Sequence, residues 1–268
     1  MPLYRLDLEY HGAAYRGWQS QKNAETVADR LAAACKAALG EARELTAAGR
    51  TDAGVHALHQ VCTLQAPARP ERQALMAIND ALPPDIAVQS LCRAAEGFHA
   101  RHSAVERVYL YQVMRRRSAF CRQESFWVRD RLDLKAMQAA AALFCGSHDF
   151  AAFCEQDPGK PAPTRAALKS LELAEAGPLL LLRFRARHFL WKMVRRITGS
   201  LLEVGRGKAR PQDLAASLAK PDRRWAAFTA PPQGLFLERV LYAGEAFDQP
   251  LKPAFPPSPE RSRHAQDQ

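Results

Sequence analysis

The chain has 268 residues, 47% of them hydrophobic, and a net charge of +10 from 38 Lys and Arg against 28 Asp and Glu. That length and composition fit one large or two moderate globular domains and exclude a fibrous or wholly disordered chain. No run of about 18 apolar residues occurs and the first residues lack a signal-peptide core, so a soluble, cytoplasmic protein with no membrane contact is expected, its charge suited to a polyanion such as nucleic acid.

Leu3 to Tyr10 alternates with period two and predicts a strand. His11 to Gln19 reads as an aromatic, glycine-bearing loop, either a hydrophobic plug or a contact surface. Apolar spacing at Val27, Leu31, Ala34, Cys35, Ala38 and Leu39 predicts a helix over 25–39, capped by Thr26 or Asn23. Leu45 to Ala48 and His59 to Leu64 then read as strands around the stretch Gly49-Arg50-Thr51-Asp52-Ala53-Gly54-Val55-His56-Ala57. Glu71 to Leu82 is a helix stopped by Pro83-Pro84, and Ile86 to Leu91 a short strand. Arg107 to Val113 is a strand with Tyr109 and Tyr111 on one face.

Beyond Arg115-Arg116-Arg117, Asp133 to Cys145 predicts a helix, Asp149 to Phe153 an edge strand, and Glu155 to Pro163 a loop. Leu168 to Leu173 and Leu179 to Arg187 form a hairpin through Gly177-Pro178. On its second strand Arg183, Arg185 and Arg187 alternate with Leu182, Phe184 and Ala186 and share one face. Three guanidiniums so close need neutralising, by nearby carboxylates or, the reading favoured here, by RNA phosphates. Helices are expected at Phe189 to Val204 and Pro211 to Ala219, and a last strand at Gly234 to Tyr242. The remaining 247–268 carries five prolines and balanced charge, which predicts a disordered tail.

The stretch around Asp52 concentrates chemistry. A carboxylate is ionised at neutral pH, and here one lies at a loop tip between a guanidinium and two glycines, available as nucleophile or base. Arg50 suits a phosphate or a second carboxylate. A plain turn is the alternative use of Thr-Asp-Ala-Gly. The nonapeptide resembles the active-site motif of the TruA family of tRNA pseudouridine synthases. Three further segments resemble that family: Tyr15-Arg16-Gly17-Trp18-Gln19, the basic-x-Tyr-x-Tyr pattern of Arg107, Tyr109 and Tyr111, and Lys192-Met193-Val194-Arg195-Arg196-Ile197.

The resemblance runs from Leu3 to about Tyr242 and implies an α/β (α+β) fold. Two tandem RRM-like or ferredoxin-like halves, 1–105 and 106–246, would share one extended, mostly antiparallel sheet with helices on one face and a basic cleft. It implies isomerisation of uridine to pseudouridine at positions 38, 39 and 40 in the anticodon arm of tRNA by a homodimer. Asp52 would be the catalytic residue, with Tyr109 on the uracil, Arg50 filling the space of the displaced base or holding phosphate, and Arg195 pairing with Asp52. His59 and Arg187-His188 stand where the family pattern has small residues.

Such an isomerisation has no net redox change and no outside acceptor, so no cofactor is expected. The six cysteines have no close pairing of the kind that metal or redox motifs use, and no metal is expected. Two rival readings remain: a catalytically silent RNA-binding protein or chaperone, and a metal-dependent RNA hydrolase built on Asp52, His56 and His59.

Overall fold

The computed structural model describes residues 1–157, 159 and 162–255. Ten strands join in one mixed sheet in the order β4-β1-β3-β10-β5-β9-β8-β7, with β2 on β3 and β6 on β5. The strands are β1 (Leu3–Tyr10), β2 (Arg43–Ala47), β3 (His56–Gln65), β4 (Ile86–Arg93), β5 (Ala104–Met114), β6 (Phe126–Trp127), β7 (Gly146–Asp149), β8 (Arg165–Ala176), β9 (Leu179–Ala186) and β10 (Leu235–Tyr242). The helices are α1 (Val27–Leu39), α2 (Glu71–Ala81), α3 (Leu134–Ala142), α4 (Met193–Gly205) and α5 (Pro211–Ala219). Every pairing is antiparallel except β3 with β10 and β5 with β6.

The same plan occurs twice. The order β4-β1-β3, with β2 beside β3, and the order β10-β5-β9-β8 are both the arrangement of a β-α-β-β-α-β ferredoxin-like unit. α1 and α2 are the crossovers of the first unit; α3 and α4 are those of the second. The units fuse where β10 runs parallel to the start of β3, pairing Phe236 with His56 and Leu237 with Ala57. The duplication expected from the family resemblance is therefore present in the topology, and the expected division after residue 105 lies two residues inside β5.

All five helices contribute to one continuous hydrophobic core with side chains such as Tyr109, Leu180, Leu182 and Phe184 from the sheet. Thr26 caps α1, its hydroxyl accepting from the Asp29 N–H at 3.2 Å, and Asp133 caps α3 in the same way from Ala136 at 3.0 Å.

Three expectations need correction. The edge strand forms at Gly146–Asp149, pairing with Arg165 to Leu168, while Ala151–Phe153 closes into a 3-10 turn that buries Phe153. Helix α4 starts at Met193 rather than Phe189, because Lys192 takes a left-handed conformation with φ 57° and breaks the turn before it. Third, the tail expected to be disordered docks through its first part. Phe247 is buried, Leu251 and Ala254 pack on Leu110, Leu181 and Phe236, and the Ala254 N–H donates to Gln112 Oε1 at 2.7 Å. Periodicity could not signal this, since the segment packs without regular structure. The expectation for 256–268 lies outside the described residues.

The docked segment also decides the fate of Arg183. Its guanidinium is 3% exposed and bonds both oxygens of Glu238, at 2.6 and 2.8 Å, while the carbonyls of Gln249 and Pro250 accept at 2.8 and 3.2 Å. The ring of Phe247 lies 5.1 Å from it. A buried ion pair of this kind is costly to leave half-made, and the tail supplies its remaining acceptors. Replacing Phe247 with Ala is expected to cost roughly 3 kcal/mol of unfolding free energy in urea titrations; an undocked tail would leave stability within about 0.5 kcal/mol.

Candidate active site in the basic cleft

β2 and β3 are joined by the 48–55 loop, which sits where the two units fuse. Its shape is held from beneath by the 12–18 segment. The Trp18 N–H donates to the Thr51 carbonyl at 3.0 Å, the Gly54 N–H to the Tyr15 carbonyl at 3.1 Å, and Tyr10 Oη and Thr51 Oγ1 are 2.8 Å apart. Backbone approach is close enough to require glycine. At Gly17, with φ 93°, a Cβ would stand 2.6 Å from the Thr51 carbonyl oxygen. Gly54, with φ 77°, makes the turn that returns the chain into β3. The aromatic segment is thus a floor under the loop, and Trp18 also lines the cleft above.

Asp52 projects into that cleft with 24% of its side chain exposed. Its Oδ2 accepts a 2.9 Å hydrogen bond from Arg195 Nη1, and Arg195 Nε donates to the Ala230 carbonyl at 2.8 Å. The guanidinium is fixed at one end by backbone and at the other orients the carboxylate. Tyr109 rises from β5 beside them, 8% exposed, with its ring edge-on to Phe189 at 4.9 Å between centroids. Burial, reinforced by the nearby charge of Asp52, pushes its hydroxyl up to about 12. Tyr109 is therefore a neutral phenol at physiological pH. Arg50 is exposed and lines the cleft.

The cleft has a volume of about 1440 Å³ and is open along one side. That is larger than the usual small-molecule pocket of roughly 300–1,000 Å³. Seven lining residues are Lys or Arg and three are acidic (Asp29, Asp52 and Asp157). Such a trough fits a polyanion of some length, and its cations offset the repulsion between that polyanion and the carboxylate.

Asp52, Arg50, Tyr109 and Arg195, named from sequence, all come together here. The arginine row of β9 does not. Arg183 is consumed by Glu238 on the other side of the sheet, and Arg185 is ion-paired to Glu106. Burial pushes Glu106 up, but Lys169 at 2.7 Å and Arg185 outweigh it and hold the carboxyl below the ordinary range. Only Arg187, past the end of β9, is exposed and lines the cleft. The expectation that RNA neutralises all three is corrected by these carboxylates, which lie far from β9 in the chain.

Arg107 has a part that its place in a motif did not reveal. It is 8% exposed, and its Nη atoms donate to four carbonyls: Ala104 at 3.2 Å, Arg187 at 2.7 Å, Ala48 at 2.8 Å and Arg101 at 2.7 Å. It ties the approach to the Asp52 loop to the far wall of the cleft. Gln60 does similar work, its Nε2 donating to the Gly49 carbonyl at 2.7 Å. A charged residue in a strand that is otherwise buried along most of its length is a faint sequence sign of such a clamp.

The hydrolase grouping is not assembled. His56 is buried, its Nδ1 accepting from the Gly12 N–H at 3.0 Å and its Nε2 facing the carbonyls of Gln123 and Gln233 at 2.7 and 3.2 Å. Both nitrogens are spent on backbone. His59 Nδ1 accepts from the Val240 N–H at 3.3 Å and its Nε2 lies 3.7 Å from Asp7. Neither ring nitrogen of His56 has a lone pair left to offer a metal beside Asp52.

The family model described as tRNA pseudouridine synthase matches residues 140–243, a span holding β9, α4 and Arg195. Curated relatives named tRNA pseudouridine synthase A extend the match. The one from Moorella thermoacetica is 40% identical over 248 residues, covering 90% of this chain and all of its own. That from Citrifermentans bemidjiense is 42% identical over 242 residues, 89% of this chain and 96% of its own. The chain belongs to the tRNA pseudouridine synthase A family. A third member, from Nitrosomonas europaea, is 41% identical over 243 residues, covering 88% of each chain. Pseudouridine synthases are isomerases, so the protein is assigned as an enzyme of that class.

Burial lowers the His56 imidazole from 6.5 to about 4, with His11 acting in the same direction against the two carbonyls. Between those values the unfolded chain binds a proton that the folded one refuses, so stability falls as pH drops through the window. Imidazole resonances of His56 are expected to stay in the neutral form at pH 5, and His56→Gln to flatten the fall in stability between pH 6.5 and 4. A ring that titrates near 6.5 would contradict this placement.

Proposed function

We propose that the protein converts uridine to pseudouridine in the anticodon arm of tRNA, at positions 38, 39 and 40, with Asp52 acting on the sugar of an everted nucleotide. The observation that carries this reading is a partly exposed carboxylate, oriented by Arg195, on the floor of a long cationic cleft beside a buried neutral tyrosine. The reaction breaks N1–C1′, turns the base, joins C5 to C1′, releases the C5 proton and returns a proton to N1. Atoms and electrons balance without an outside reactant.

Two routes use the same carboxylate: addition of Asp52 to C1′ as the base departs, or removal of the C2′ proton. Both need an ionised oxygen held close to the ribose, and the Arg195 pair supplies that orientation. Tyr109 stacks on the uracil and, as a phenol, donates or accepts a hydrogen bond while the base is detached. It is not the resting-state base for C5. Arg50, exposed at the loop tip, takes the space of the everted base or a flanking phosphate, and Arg187 adds a phosphate contact. Arg183 and Arg185 have no such part. The family resemblance further implies a cytoplasmic homodimer with one tRNA arm spanning both subunits, for which a solution mass of one chain, 29.8 kDa, would be the contrary finding.

Unmodified tRNA incubated with pure protein and a chelator, without nucleotide, is expected to acquire pseudouridine at those positions. Asp52→Asn is expected to lower the rate at least about a thousandfold while holding tRNA within about threefold of the unchanged Kd. Turnover by Asp52→Asn contradicts the assignment, and arrest by the chelator favours a metal-dependent reaction.

A further inference from the structure

Of the large hydrophobic side chains that stay exposed among the described residues, Trp191 alone lines the cleft. Half of its surface, 50%, is open to solvent. The backbone around it is held. Its carbonyl accepts from the Glu155 N–H at 2.8 Å, and the next residue, Lys192, is the left-handed residue that delays the start of α4. Lysine rarely adopts that conformation, and such strain persists only where neighbours over-determine it.

Lys192 Nζ lies 3.3 Å from Glu155 Oε2, and the same carboxylate is bonded by Arg196 from the first turn of α4. Without the kink, helical spacing would begin at Phe189 and carry residue 191 round with it. With the kink, the indole stands at the cleft wall, one short step along the chain from Arg195 and its bond to Asp52. The Lys192 ammonium lies over the ring, 5.1 Å from its centroid, and half of the residue's surface still stays open to solvent.

A flat, rigid, half-bare π-surface in a cationic trough matches one kind of occupant well. Phosphates answer the lysines and arginines, and an unpaired base covers the ring, as on the stacking platforms of single-strand binders. A base inside a duplex has both faces already covered. We propose that Trp191 is the stacking platform for an unpaired nucleobase of the RNA next to the one that enters the Asp52 site. This rests on the functional reading above for the identity of the RNA, and it adds a subsite that selects a locally unstacked nucleotide beside the target.

The test measures tRNA binding and single-substrate turnover for Trp191→Ala, Trp191→Phe and, as a control, Trp127→Phe, whose indole is exposed away from the cleft. Trp191→Ala is expected to raise Kd and KM roughly tenfold, to leave kcat at saturating tRNA within about threefold, and to keep its melting temperature within a few degrees. Trp191→Phe, which retains a ring, is expected to recover most of the affinity. In the Trp127→Phe protein, tRNA should quench the indole emission that remains at the surface. Trp191→Ala binding within twofold of the unchanged protein, or an emission indifferent to saturating tRNA, overturns the platform. The binding arm needs no turnover: a protein that binds tRNA through Trp191 yet makes no pseudouridine overturns the isomerase reading alone, and one that does not bind tRNA overturns both.

Discussion

A single hydrogen-bonded ion pair, Arg195 to Asp52, joins two side chains 143 residues apart in the chain and one from each ferredoxin-like unit. The demands on it conflict. In the proposed reaction the carboxylate has to be open enough to meet a ribose and still be aimed; one oxygen is tied to a guanidinium while the side chain stays about a quarter exposed. Most of the surrounding architecture serves that compromise. β10 laid parallel to β3 brings the units together, the 12–18 segment props the loop from beneath, and Arg107 stitches four carbonyls around the floor. Arg195 in turn is anchored on the Ala230 carbonyl, which keeps it from following the carboxylate into solvent.

Charge is partitioned in the same spirit. The chain carries +10, but several of its arginines are spent internally: Arg183 on Glu238, Arg185 on Glu106, Arg196 on Glu155. What reaches the cleft is a smaller set spread along its walls. Neutralising the buried arginines at home lets the cleft be cationic without piling like charges into one core. Net charge therefore announces a polyanionic partner but does not say which arginines meet it.

Local pattern carried most of the elements. Period two over Leu3 to Tyr10 and helical spacing over Val27 to Leu39 and Pro211 to Ala219 lead to the elements observed, because each has one face in a shared core. The failures share a cause. The partner of Arg183 lies 55 residues further on, Phe247 docks over that same guanidinium, and Lys192 at the kink is paired with Glu155. None of these leaves a periodic trace. Asp52, Tyr109 and Arg195 were legible only through the family motifs. On residue chemistry alone Asp52 reads as a turn and Arg195 as a surface charge. Trp191 was missed because the spacing from Phe189 places it within a helix, where its exposure looks incidental.

Under the proposed function the geometry of the Arg195–Asp52 pair, beyond its charge, sets the rate of the chemical step. Arg195→Lys keeps the positive charge and loses the planar fork that spans Asp52 and the Ala230 carbonyl. The most direct measurement is the single-turnover rate of this variant on a tRNA arm with one target uridine, with Kd measured in parallel. A fall of about a hundredfold with Kd within about threefold agrees with the account; an unchanged rate, or a loss confined to binding, contradicts it.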